Sequence, residues 1–185
     1  MPDFLLYAYA ALIGAAIGSF LNVCILRLPE GESVVSPPSR CPSCGTRLAW
    51  YDNVPVLGWA WLRGKCRTCR TPISPLYPLV ELATALLWVA AAVRYGLSWQ
   101  ALSAAVFFTL LLGIAMTDAR KYIIPDEFSL GGLAAGLALA FAPGGITPQN
   151  SVMGAVLGYG LLWLVGTVGE WMFRKPAMGG GDVKM

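Results

Sequence analysis

The chain has 185 residues, 57% of them hydrophobic and only 12% charged, with a mean hydropathy of +0.63, so it carries more apolar surface than a soluble domain of this length can bury. Lipid is the alternative solvent, and an ordinary water-soluble globule is excluded. The formal net charge is +3 and there is no histidine, which also excludes Ser-His-Asp and Cys-His nucleophiles, H-E-x-x-H metalloproteases and any imidazole acid or base.

Roughly 20 consecutive apolar residues cross a bilayer as a helix, and in chain order the expected spans are 4–26, 76–95, 99–117, 127–142 and 151–173. The first span is not a signal peptide: only Asp3 precedes its apolar core, and the nearest basic residue, Arg27, follows it. It reads as a retained helix with its N-terminus outside. Residues 27–75 are polar enough to form a small aqueous domain. The fourth span is short, with Pro125-Asp126 as its start, Asp126 as its cap, and Pro143-Gly144-Gly145 as its stop. The expected organisation is therefore a first transmembrane helix over 1–26, a cytoplasmic domain over 27–75 and a transmembrane domain over 76–185.

Basic residues orient these spans. Of 13 Lys and Arg, seven follow the first span (Arg27, Arg40, Arg47, Arg63, Lys65, Arg67 and Arg70), Arg120 and Lys121 follow the third, and Arg174, Lys175 and Lys184 follow the fifth. Only Arg94 falls on the other side, so the basic side is expected to be cytoplasmic. Anionic membrane lipid explains this basic face better than nucleic acid does, and no nucleic-acid partner is expected.

Two C-x-x-C pairs, Cys41/Cys44 in "CPSC" and Cys66/Cys69 in "CRTC", have 21 residues between them. Each places two thiolates on one turn, and two turns complete a tetrahedron around Zn²⁺. The gap slightly exceeds the usual range, which a ribbon of two knuckles tolerates. Disulfides are the competing reading, and a cytoplasmic location argues against them. Four thiolates leave no open position, so such a zinc would be structural and would supply much of the folding energy of so small a domain. Cys24 stands alone in the first span and is expected to be a buried small residue. The fold class is thus all-α and polytopic, with about five transmembrane helices and a small zinc-ribbon-like cytoplasmic domain.

Without histidine, carboxylates are the obvious catalytic groups, and two of the ten stand out. Asp118 closes the third span in "MTDARKYIIPDEF", and Asp182 follows the fifth in "MGGGDVKM", so two further crossings return it to the same face. Two aspartates brought together share a proton. One then activates water while the other polarises a peptide carbonyl, which is aspartic protease chemistry. Gly179, Gly180 and Gly181 lack Cβ atoms and let a substrate backbone approach Asp182. Taken singly, each aspartate has a plainer reading: Asp118 as the end of a helix where water begins, Asp182 as a cap after a glycine turn. Glu81 and Glu170 lie in or near spans, where an ionisable group is a functional candidate, although Glu170 is close enough to the interface to be solvated. Gly14/Gly18, Gly132/Gly136 and Gly154/Gly158 are G-x-x-x-G pairs that point to close helix packing. Polar and aromatic residues near the cytoplasmic end of the first span are placed to line a groove.

Six segments in order carry a family resemblance: "GSFLNVCILRLP" at 18–29, the two C-x-x-C pairs, "WYDNVPVLGW" at 50–59, "PISPLYPLVEL" at 72–82, "DARKYIIPD" at 118–126 and "GGGDVK" at 179–184. Together they resemble the bacterial type IV prepilin peptidases, also called leader peptidase/N-methyltransferases, which share their logic with G-x-G-D intramembrane proteases. The resemblance implies a multi-pass protein of the bacterial cytoplasmic (inner) membrane, with a periplasmic N-terminus and with its zinc domain and active site cytoplasmic. It implies Asp118 and Asp182 as a catalytic dyad that cleaves the basic leader of type IV prepilins and pseudopilins. N-methylation of the new N-terminus would follow, with S-adenosylmethionine as donor. Gly18, Ser19, Asn22, Arg27 and Glu81 are carried over as methyl-transfer candidates, and Cys41, Cys44, Cys66 and Cys69 as zinc ligands. Relatives usually continue for further helices past the G-x-G-D motif, so a C-terminally incomplete peptidase domain, inactive as a fragment, is also an expectation. The alternative is a non-enzymatic membrane scaffold whose zinc ribbon docks secretion or pilus-assembly partners. An ion or proton carrier using Glu81 and Glu170 is weaker, since no inverted repeat is evident.

Overall fold

A computed structural model describes residues 3–174. Asp182 and the glycines Gly179, Gly180 and Gly181 therefore lie outside the described residues. Six α-helices follow in order: α1 (Asp3–Arg27), α2 (Leu57–Trp61), α3 (Leu76–Tyr95), α4 (Trp99–Lys121), α5 (Asp126–Leu139) and α6 (Pro148–Phe173), with no named strand among the described residues. Helices α1, α3, α4 and α6 are long and apolar enough to cross a membrane. Over the fourth expected span the chain forms α5, whose 14 residues rise about 21 Å, less than the roughly 30 Å of a hydrocarbon core. Its cap is Pro125 without a side-chain cap bond, and Asp126 sits in the first turn, where its charge suits the positive end of the helix dipole.

The described residues fall into two units that divide between Leu97 and Ser98. In the first, α1 lies along α3. A Cβ added to Gly14 would sit 2.8 Å from the Trp88 Cβ and 2.9 Å from the Ala85 Cα, and one added to Gly18 would sit 2.7 Å from the Glu81 Cα. This G-x-x-x-G pair therefore brings the two backbones into contact, the usual means of packing helices where lipid removes the hydrophobic drive. Ala10, Leu21, Ile25, Val80, Ala85, Ala91 and Ala92 fill the rest of the interface.

In the second unit α4 packs on α5 and α5 on α6. Ser98 caps α4 by accepting the Ala101 N–H at 3.2 Å, and Thr147 caps α6 by accepting the Asn150 N–H at 3.3 Å. A Cβ added to Gly132 would sit 3.3 Å from the Leu110 Cδ1, whereas one added to Gly136, Gly154 or Gly158 would meet nothing within 4 Å among the described residues. Buried threonines satisfy their own hydroxyls by donating one turn back: Thr84 to Val80 O at 2.8 Å, Thr109 to Ala105 O at 2.7 Å and Thr117 to Gly113 O at 2.9 Å. In a water-free layer that local bond keeps a polar side chain from being orphaned.

Candidate functional site

The cysteine segment is built from one local structure used twice. Cys41-Pro42-Ser43-Cys44-Gly45-Thr46 and Cys66-Arg67-Thr68-Cys69-Arg70-Thr71 share the pattern C-x-x-C-x-T. In the first, the Cys41 N–H donates to Thr46 O at 2.9 Å and the Gly45 N–H to Cys41 O at 2.9 Å; in the second, the Cys66 N–H donates to Thr71 O at 2.9 Å and the Arg70 N–H to Cys66 O at 3.0 Å. Gly45 and Arg70 hold the equivalent left-handed position, with φ of 70° and 61°. Each turn thus points two sulfurs the same way, and the two turns face one another.

All four sulfurs lie within 4.8 Å of one another, with Cys41 to Cys69 at 3.7 Å and Cys44 to Cys66 at 4.0 Å. A disulfide needs about 2.05 Å, and all five cysteines are free. Four thiolates at the usual Zn–S distance of 2.3 Å stand about 3.8 Å apart at the corners of a tetrahedron. The spacing fits a four-thiolate metal site, and no disulfide joins the four cysteines in this structure. The Cys44 and Cys69 thiols donate to the Thr46 and Thr71 hydroxyls at 3.3 and 3.2 Å, and a hydroxyl at that distance can turn to donate to a thiolate. The Thr46 hydroxyl lowers the Cys44 thiol, and Thr71 does the same for Cys69, which comes down to about 6. The sequence reading passed over these threonines, although the repeated C-x-x-C-x-T announces them.

Around this site the chain is pinned at three points. Arg67 grips Asp52 through two hydrogen bonds, Nε to Oδ2 at 2.9 Å and Nη2 to Oδ1, and stacks over Tyr51 at 5.3 Å. That guanidinium holds the Asp52 carboxyl below its usual range. The Trp59 indole donates to Ile73 O at 3.0 Å. The third pin is Glu81: buried on α3, its Oε2 accepts the Val56 N–H at 2.7 Å. Val56 has φ 60° and ψ −50°, and the Leu57 N–H closes on Pro55 O at 2.6 Å. This is the rare positive-φ γ-turn, here on a β-branched residue. Gly58 follows because a Cβ there would overlap the Asp52 carbonyl.

Four of the methyl-transfer candidates lie on two faces of α1, and the fifth, Glu81, lies on α3. Gly18 packs on Glu81, and Asn22 donates to Tyr77 O at 3.0 Å, so both serve the α1–α3 interface together with Glu81. Ser19 and Arg27 face the other way, into a cleft of about 540 Å³ also lined by Phe20, Arg47, Trp50 and Asn53. Arg27 donates to Ser33 O at 3.0 Å. Of the five, Ser19 and Arg27 line this cleft, and Gly18, Asn22 and Glu81 do not. Asp118 is exposed in the last turn of α4, which runs one turn beyond the expected end at 117, and its carbonyl accepts the Tyr122 N–H at 2.8 Å. Cys24 is buried, as the sequence led us to expect.

These features define a class: a multi-span helical membrane protein with a four-thiolate site, suited to a metal, beside its first helix. The model of the Bacterial Peptidase A24 N-terminal domain matches residues 12–95, and that of the Type IV leader peptidase family matches residues 105–185. Relatives named prepilin leader peptidase/N-methyltransferase include one from Myxococcus xanthus, 44% identical over 92% of this chain and 51% of its own length. Others come from Klebsiella pneumoniae, 40% identical over 98% of this chain and 82% of the relative, and from Neisseria gonorrhoeae, 34% identical over 95% and 70%. The chain belongs to the type IV leader peptidase family. It spans about half the length of the Myxococcus relative. No solved structure matches it.

Proposed function

We propose that the complete protein cleaves the basic leader of type IV prepilins and pseudopilins at the cytoplasmic face of the bacterial inner membrane, using Asp118 and Asp182. Membership of a family whose relatives are named prepilin leader peptidase carries this reading. The orientation, with the N-terminus periplasmic, follows from 12 of 13 basic residues falling on one side. Position 118 supports it further, since the end of α4 lies beside Arg120 and Lys121.

In this mechanism the ionised aspartate takes a proton from water as the water oxygen attacks the scissile carbonyl carbon. The protonated aspartate donates to the carbonyl oxygen. Collapse of the tetrahedral adduct breaks the C–N bond, and the departing amine takes a proton from the dyad. Gly179, Gly180 and Gly181 admit the substrate backbone beside Asp182. Cys41, Cys44, Cys66 and Cys69 would hold a structural Zn²⁺, which would tie the two halves of the cysteine segment together. Methyl transfer from S-adenosylmethionine is the second activity that the relatives' names support. Because Gly18, Asn22 and Glu81 serve helix packing while Ser19 and Arg27 face a cleft, no methyl-transfer step is assigned to them.

Incubating the purified complete protein with a prepilin tests the reading. The expected outcome is a shortened product on a gel. An unchanged prepilin, with the zinc ribbon still retaining secretion or pilus-assembly proteins, would favour the scaffold instead.

A further inference from the structure

The 540 Å³ cleft beside α1 has a graded wall. Ala16, Phe20 and Val23 line it along the helix, Arg27 closes its end, and Arg47 and Trp50 face it from the cysteine segment. From Ala16 to Arg27 the helix rises about 16 Å, close to half of a roughly 30 Å hydrocarbon core. Phe20 is 54% exposed, Trp50 is 82% exposed, and no carboxylate lines the cleft. Arg47 belongs to no ion pair among the described residues. Arg27 and Arg47, with no carboxylate beside them, suit a negative group, and Ala16, Phe20 and Val23 suit an apolar one.

We propose that this cleft holds one anionic phospholipid, its phosphate between Arg27 and Arg47 and an acyl chain along Ala16, Phe20 and Val23. A water-soluble anion would satisfy the arginines and leave the apolar wall uncovered. A neutral lipid would cover the wall and leave two cations without a counter-charge. Trp50 lines the cleft together with both arginines, and tryptophan is a side chain that favours the headgroup level. Assignment to the inner leaflet rests on the orientation proposed above; the binding itself does not.

Native mass spectrometry of the full chain, extracted from nanodiscs of phosphatidylcholine with a minority of phosphatidylglycerol, reads this directly and requires no leader cleavage. The expected result is one retained phosphatidylglycerol, with retention reduced on the order of tenfold to thirtyfold in the R27Q/R47Q double variant. Arg47→Glu alone, at an exposed position that leaves the fold undisturbed, should also release the lipid. R63Q/R70Q, which removes basic residues away from the cleft, should retain it. Equal retention in wild type and Arg47→Glu, or equal retention of phosphatidylcholine, would overturn the proposal. Displacement of the lipid by inorganic phosphate or by S-adenosylmethionine would overturn it as well, by assigning the cleft to a soluble ligand.

Discussion

Glu81 sits in a membrane-spanning helix, where an ionisable group is costly unless it is paired. Its carboxylate accepts the Val56 N–H, the central amide of a strained turn, so α3 and the cysteine segment each satisfy a need of the other. Glu81→Ala should therefore cost about 1–3 kcal/mol by orphaning a buried donor, whereas Glu81→Gln keeps an acceptor oxygen and should cost much less. Thermal unfolding in detergent measures both. Equal losses would show that the carboxylate acts by charge and not by bonding Val56. Little of this was legible beforehand. A positive φ at valine runs against its own preference, and its partner lies 25 residues away. Asp118 is exposed in the last turn of α4, in the stretch Thr-Asp-Ala-Arg-Lys that ends the apolar run.

The cysteine turns and the α1–α3 pair lie in one unit, and each is probed by its own measurement. In the metal-free protein, alkylation of Cys69 should rise as pH rises through about 6 and level off above it, because the thiolate is the nucleophile and Thr71 favours it. Thr71→Val should move that profile to higher pH, and bound zinc should protect all four cysteines. Peptide mapping after iodoacetamide treatment checks both outcomes. For the helix pair, Gly18→Leu forces side-chain atoms into the Glu81 backbone, and a loss of about 1–3 kcal/mol or more is expected in the same unfolding assay. Cysteine spacing and G-x-x-x-G pairs are periodic signals, so both elements were readable from sequence. Which of three such pairs makes a close contact was not, since that depends on the partner surface. The length of α5 was also hidden, because apolar residues at 140–142 extend the span without extending the helix.

At the scale of the molecule, one packing unit takes in α1, the cysteine segment and α3. A continuous-stretch reading of sequence misses it, since the G-x-x-x-G face of α1 finds its partner some 70 residues on. The two family matches, 12–95 and 105–185, fall on either side of the same division. The leader-peptidase reading depends on a function shared by Asp118 and Asp182. The most direct test is the rate of prepilin leader cleavage by Asp118→Asn, by Asp182→Asn and by the double variant in the complete, membrane-inserted protein. Groups that act as one unit lose activity together, so each single variant should fall to the background level of the double. A single variant that cleaves at the wild-type rate would contradict the dyad.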